Sequence, residues 1–189
     1  KNSLNKTTNT INPMKKTLLT VIILSLSMLS MAQLPPELRK KVDKYFTKEV
    51  DKFNGSTYYS SKLKGFSVLK PWFHVIITPQ GEWQLGANVV NHSWIFATEL
   101  RCKIDDRYYS FKPAYDKIDR RAGYGSVTET FTIAPPNDQN LLHAIYHSTS
   151  RPMFRATGSD GLVDFEPNDN QLQMLKTAYE LITALKGNK

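Results

Sequence analysis

The sequence predicts an α+β fold, a single domain in which a mainly antiparallel sheet of about six to seven strands is packed by N-terminal, middle and C-terminal helices. Three observations carry this expectation. Apolar residues recur at helical spacing near both ends of the chain. Between Phe66 and Ile133 the period falls to two. Gly, Pro, Asn and Asp cut that central stretch into short pieces joined by tight turns.

The chain opens with a segment that reads as targeting sequence. Met14-Lys15-Lys16 precedes an apolar run from Leu18 to Leu24, and Ser30 and Ala32 supply the small residues of a signal-peptidase site. We expect a signal peptide over 14–32, cleaved after Ala32, with 1–13 as upstream translation and 33–189 as the mature domain. The apolar run is too short to span a bilayer, so no stable membrane span is expected after cleavage. Gln33 follows the cleavage site where a lipid anchor needs cysteine, so the expected location is secreted or periplasmic.

Charge and cysteine narrow the function classes. Of the formal net charge of +8, half comes from Lys1, Lys6, Lys15 and Lys16, in a leader without acids. The remainder is mildly basic, which does not specify a nucleic-acid partner. Cys102 is the one cysteine, so packing and not an internal disulfide must hold the fold together.

Each element has its own signature. Leu38, Val42, Phe46, Val50 and Phe53 recur every three or four residues, predicting a helix that Asn54-Gly55 stops. A strand around Val75, Ile76 and Ile77 turns at Pro79-Gln80-Gly81 into one with Trp83, Leu85, Ala87 and Val89 on its inner face. The next strand is expected to place Phe96, Thr98, Leu100, Cys102 and Ile104 inward, and Tyr109 and Phe111 share a face after Asp105-Asp106. Lys112 to Gly125 reads as a long connection before a Thr-rich strand over Val127 to Ala134. A helix carrying Leu141, Leu142, Ile145 and Tyr146 follows Asn137 or Asp138. Two strands then join through Gly158-Ser159-Asp160-Gly161, and the last helix starts near Pro167-Asn168-Asp169 and carries Leu172, Leu175, Tyr179, Ile182 and Leu185.

No cofactor or catalytic motif stands out. "DKIDRRAGYGSVTE" (116–129) has Gly123 and Gly125 but lacks the glycine-lysine pair and following helix of a phosphate loop. Ser126 has glycines at −3 and −1, whereas a nucleophile elbow needs them at −2 and +2. His143 and His147 lie four apart on a helix, but no glutamate stands between them and no third ligand is evident, so no metal is expected. Cys102 falls in the inward phase of its strand and reads as a core residue.

What remains is the basic, tyrosine-bearing segment. Arg120 and Arg121 are candidate anchors for an anionic group, with Tyr115 and Tyr124 to stack or hydrogen-bond. Glu129 shares its parity with Val127, Phe131 and Ile133, so it is expected to face the core. It then needs a partner, for which Arg107 and Arg155 are the candidates, or else it lines a pocket as a further binding residue beside the arginines and tyrosines. The sequence reading is a secreted or periplasmic non-enzymatic binding module without a cofactor, directed at an acidic or carbohydrate partner of the envelope or exterior. Two alternatives stand beside it: a hydrolase assembled from His143, His147 and Glu129, and an envelope structural subunit.

Overall fold

The computed structural model describes residues 34–62, 69–123 and 125–187, and the architecture below belongs to the compact unit Pro35–Lys189. The expected leader (1–32) and Tyr124 lie outside the described residues.

Three helices and two antiparallel sheets make up the described residues, an α+β fold. The chain runs α1 (Pro36–Tyr45), β1 (Phe46–Val50), β2 (Thr57–Ser61), β3 (Trp72–Ile77), β4 (Trp83–Asn91), β5 (Ala97–Ile104) and β6 (Arg107–Phe111). A 3-10 turn (Tyr115–Lys117) leads into β7 (Asp119–Gly123) and β8 (Ser126–Ile133), followed by α2 (Leu141–His147), β9 (Met153–Gly158), β10 (Gly161–Phe165) and α3 (Asp169–Gly187). Six strands form one sheet in the order β1-β2-β3-β4-β8-β7, and four form the second in the order β10-β9-β5-β6.

The expectation of one sheet and six to seven strands falls short by three strands. Two of them, β1 and β2, occupy the second half of the expected N-terminal helix and the segment after it. The helix stops at Tyr45, and Phe46 is extended at φ −126° and ψ 152°. A spacing of four residues is one helical turn, but it is also an even number, so Phe46 and Val50 share a face of a strand as well. Local turn chemistry decides between the two. The Asp51 carboxylate accepts the Phe53 N–H (2.8 Å), Asn54 accepts the Ser56 N–H (2.8 Å), and Gly55 takes φ +71°, closing a hairpin that pairs Val50 with Thr57 and Phe46 with Ser61. Val50 and Phe53, expected to be buried helix residues, are consequently exposed. The third strand, β7, lies in the expected long connection and pairs with β8 along its length.

The core lies where the inner faces of the two sheets meet. Phe73 of β3 packs against Phe154 of β9 (ring centroids 4.7 Å apart) and Phe165 of β10 (5.6 Å). Leu85 and Ala87 of β4, Phe131 of β8, and Leu100, Cys102 and Ile104 of β5 are buried too. In β5 the expected alternation breaks at its start. A register shift between Ala97 and Glu99 leaves Phe96 and Thr98 exposed and turns Ala97 inward. Glu99 remains on the outer side, where the Arg101 guanidinium and the Ser110 hydroxyl hold its carboxyl down to about 2.

α3 packs on α1, α2 and β3 through a buried row that includes Leu175, Ala178, Leu181, Ile182 and Leu185. Its start is a reciprocal cap: Gln171 N–H donates to the Asn168 side chain (2.9 Å) and Asn168 N–H donates to the Gln171 side chain (3.0 Å). Among the described residues no helix is long and apolar enough to cross a membrane.

Gly158, at the end of β9, lies close against the segment that leads from β4 into β5. A Cβ there would lie 1.9 Å from the Ile95 carbonyl oxygen and 2.6 Å from that of Phe96, both backbone atoms that cannot rotate away. Gly158→Ala is expected to cost about 1–3 kcal/mol in urea denaturation. Gly123→Ala, where a Cβ would meet nothing within 4 Å, should leave the midpoint nearly unchanged.

Candidate functional site

The β7–β8 hairpin presents two faces because alternate residues point to opposite sides. On the inner side Glu129 is 2% exposed, as its parity implied. Its partner is neither Arg107 nor Arg155 but Arg120, which lies directly opposite it in the register. Arg155 instead forms a two-pronged pair with Asp164, both contacts at 2.6 Å.

Glu129 accepts the backbone N–H of Ile95 at 2.9 Å, that of Ala97 at 2.7 Å, and Arg120 Nε at 3.1 Å. Between the two amides, Phe96 adopts φ +49°. That left-handed residue turns its neighbours' N–H groups toward one point, forming an anion-binding concavity of backbone amides that a protein side chain fills. Arg120 is used up in the same place. Nη1 donates to the Tyr115 carbonyl (2.9 Å), Nη2 donates to the Ala97 carbonyl (2.9 Å), and the guanidinium carbon stands 3.8 Å from the centre of the Tyr115 ring. Arg120, Tyr115 and Glu129 thus form an internal clamp.

The other side of the hairpin belongs to a concavity of about 520 Å³ on the outer face of the six-stranded sheet. Its walls include Trp72 and His74 from β3, Asn88 from β4, Thr128 and Thr130 from β8, and Asp119 and Arg121 from β7. Arg121 pairs with Asp119 at 2.7 Å, and both remain largely exposed. Of the residues singled out from the sequence, Arg121 lines this face, while Arg120, Tyr115 and Glu129 do not.

The floor of the concavity is rigidly organised around Asn88, which is 3% exposed. Its amide nitrogen shares its two hydrogens among the imidazole of His74, the Trp72 carbonyl (3.3 Å) and, more distantly, the Gly86 carbonyl (3.4 Å), and its amide oxygen accepts the Thr130 hydroxyl (2.8 Å). Two carbonyl acceptors fix which end of the amide is nitrogen. The same nitrogen lies 3.1 Å from His74 Nδ1, which must therefore accept, leaving the His74 proton on Nε2. Burial pushes the His74 pKa down, which favours this neutral form. Gly86 makes the arrangement possible: a Cβ there would lie 1.9 Å from His74 Cε1, so the ring lies where any side chain would stand.

The remaining candidates do not converge. His143 and His147 are exposed on α2 with ring centroids 4.5 Å apart, and both contact the Tyr179 ring of α3. Glu129 is held by Ile95, Ala97 and Arg120 instead, so the three groups of the hydrolase alternative do not form one constellation. Among the described residues no group of three or more His, Cys, Asp or Glu is placed to hold a metal ion. The Ser126 hydroxyl donates to the Gly123 carbonyl (3.2 Å), a turn contact. Cys102 is fully buried, and burial pushes its thiol pKa well up.

Fold and face together define an α+β protein with a concave outer sheet surface lined by an aromatic ring and several polar side chains. No family model, curated protein or solved structure matches the chain.

The clamp makes a quantitative prediction. Glu129→Gln keeps the size of the side chain but removes the charge and points an N–H2 group at donors. It should lower unfolding stability by about 3–5 kcal/mol in urea titration, the range for breaking a buried ion pair. A loss within about 0.5 kcal/mol, typical of surface sites, would contradict the clamp.

Proposed function

We propose that the mature chain is a non-enzymatic binding module acting outside the cytoplasm, and that its ligand seats in the concave outer face of the six-stranded sheet. The observation that carries this reading is the Asn88 network. A buried amide, a neutral imidazole with a fixed proton and a threonine hydroxyl are locked together at the base of an open depression, with Trp72 and the Asp119–Arg121 pair also in its walls. A depression that joins an aromatic ring to a few preorganised polar groups has the makings of a small-ligand site, and its volume falls in the usual range. The leader expected over 14–32 supports the location.

The reading places recognition on a face that the sequence pointed to only through Arg121. It also gives Arg120 a different task, since its donors already have acceptors inside the protein.

Amide chemical-shift mapping tests the proposal. Soluble envelope polysaccharide and peptide fractions titrated into the labelled protein should move Asn88, Thr128, Thr130 and Arg121 together. Shifts confined to His143, His147 and Tyr179 would transfer the site to the helical side and overturn the reading.

A further inference from the structure

We infer that the concave face is built for a neutral saccharide and not for an anion. This inference rests on the concave face being the binding site and adds the class of ligand.

Charge is the first argument. Among the described residues lining the depression the one cation, Arg121, is matched by Asp119 at 2.7 Å on the same face of β7. An anionic ligand reaching Arg121 would have to displace that carboxylate or approach beside it, and like charges this close repel. A sugar hydroxyl meets no such conflict. As donor and acceptor at once, adjacent hydroxyls of one ring can donate to the Asp119 carboxylate and accept from the Arg121 guanidinium. The other lining group that could have added positive charge is His74, and burial favours its uncharged form.

The pattern of donors and acceptors is the second argument. His74 Nε2 carries the proton because Nδ1 faces the Asn88 amide nitrogen, so the ring offers one donor. The Thr130 hydroxyl gives its proton to Asn88 and retains lone pairs, so it offers acceptors. Thr128 adds a further hydroxyl along the same strand face. The floor and wall therefore alternate donor, acceptor and mixed groups. A string of hydroxyls satisfies such an alternation, and a carboxylate or phosphate, which only accepts, does not.

Trp72 is the third argument. It is partly exposed beside His74, with ring centroids 5.5 Å apart. One face of a pyranose carries mainly C–H groups, which suit the electron-rich face of an indole, while the ring's hydroxyls project toward polar neighbours. An aromatic ring beside planar polar side chains thus serves both parts of a sugar.

The test uses the full exported chain and titrates it, by calorimetry and amide shifts, with four probes: cellotetraose, maltotetraose, mannotetraose and tetragalacturonate. At least one neutral tetrasaccharide should bind and move Asn88 and Thr130. Trp72→Ala and Asp119→Asn should each weaken it by about tenfold or more, equivalent to loss of one good contact. Raising salt from low to high should change its affinity little.

The sign of the Asp119→Asn effect separates the possibilities. If tetragalacturonate binds preferentially at this face, tightens with Asp119→Asn and weakens with salt, the neutral-saccharide inference fails while the face survives as the binding site. If no neutral tetrasaccharide binds, the inference fails as well. If a probe binds but moves only amides elsewhere, both the inference and the proposed site fail.

Discussion

The buried carboxylate of Glu129 is the constraint on which the joining of the two sheets depends. After β4 the chain leaves one sheet for the other, and this crossing brings backbone polar groups into the interior without a neighbouring strand to satisfy all of them. Glu129 takes the N–H groups of Ile95 and Ala97, while the Ile95 carbonyl accepts the Asp160 N–H at 3.1 Å and the Ala97 carbonyl accepts Arg120 Nη2 at 2.9 Å. A charge in the interior is costly unless paired and hydrogen-bonded, and here two amides and a guanidinium surround it. The same contacts hold Phe96 in a backbone conformation unfavourable for a bulky residue.

That clamp also supports the outer surface. Among the described residues β7 is an edge strand of five residues, paired only with β8. Arg120, pointing inward, ties it to Glu129, to the 3-10 turn at Tyr115 and to the start of β5. Asp119 and Arg121, one residue to either side, are thereby presented outward beside the Asn88 network. Interior stability and surface geometry are thus coupled through one residue's placement in the strand.

Much of this order was legible in the sequence, and the parts that were not have physical reasons. The inward position of Glu129 follows from parity along β8, because a strand in regular register cannot turn one residue around. Its partner was hidden because the segment preceding β8 lacks apolar alternation and therefore reads as a loop. Only the β7–β8 register places Arg120 opposite Glu129. The sequence extends the N-terminal helix too far because Val42, Phe46 and Val50 satisfy both periodicities, and the hairpin turn at Asp51–Gly55 decides between them. The concave face is not legible in the sequence because its residues occupy the polar phase of four strands. Sequence order does not reveal that β8 returns to lie beside β4. A buried Gly86 and Asn88 in the outward phase of β4 is the one local sign, and it becomes meaningful only with His74 lying across Gly86.

Native-state hydrogen exchange at the Ile95 and Ala97 amides tests the clamp most directly, since both protons are given to a side chain and not to a strand partner. If Glu129 holds the crossing as described, both amides exchange only through the largest unfolding event, with protection comparable to that of Ala87 and Phe131 at the sheet centre. Exchange at the rate of an exposed loop, while Ala87 and Phe131 stay protected, would show that the sheets are joined without it.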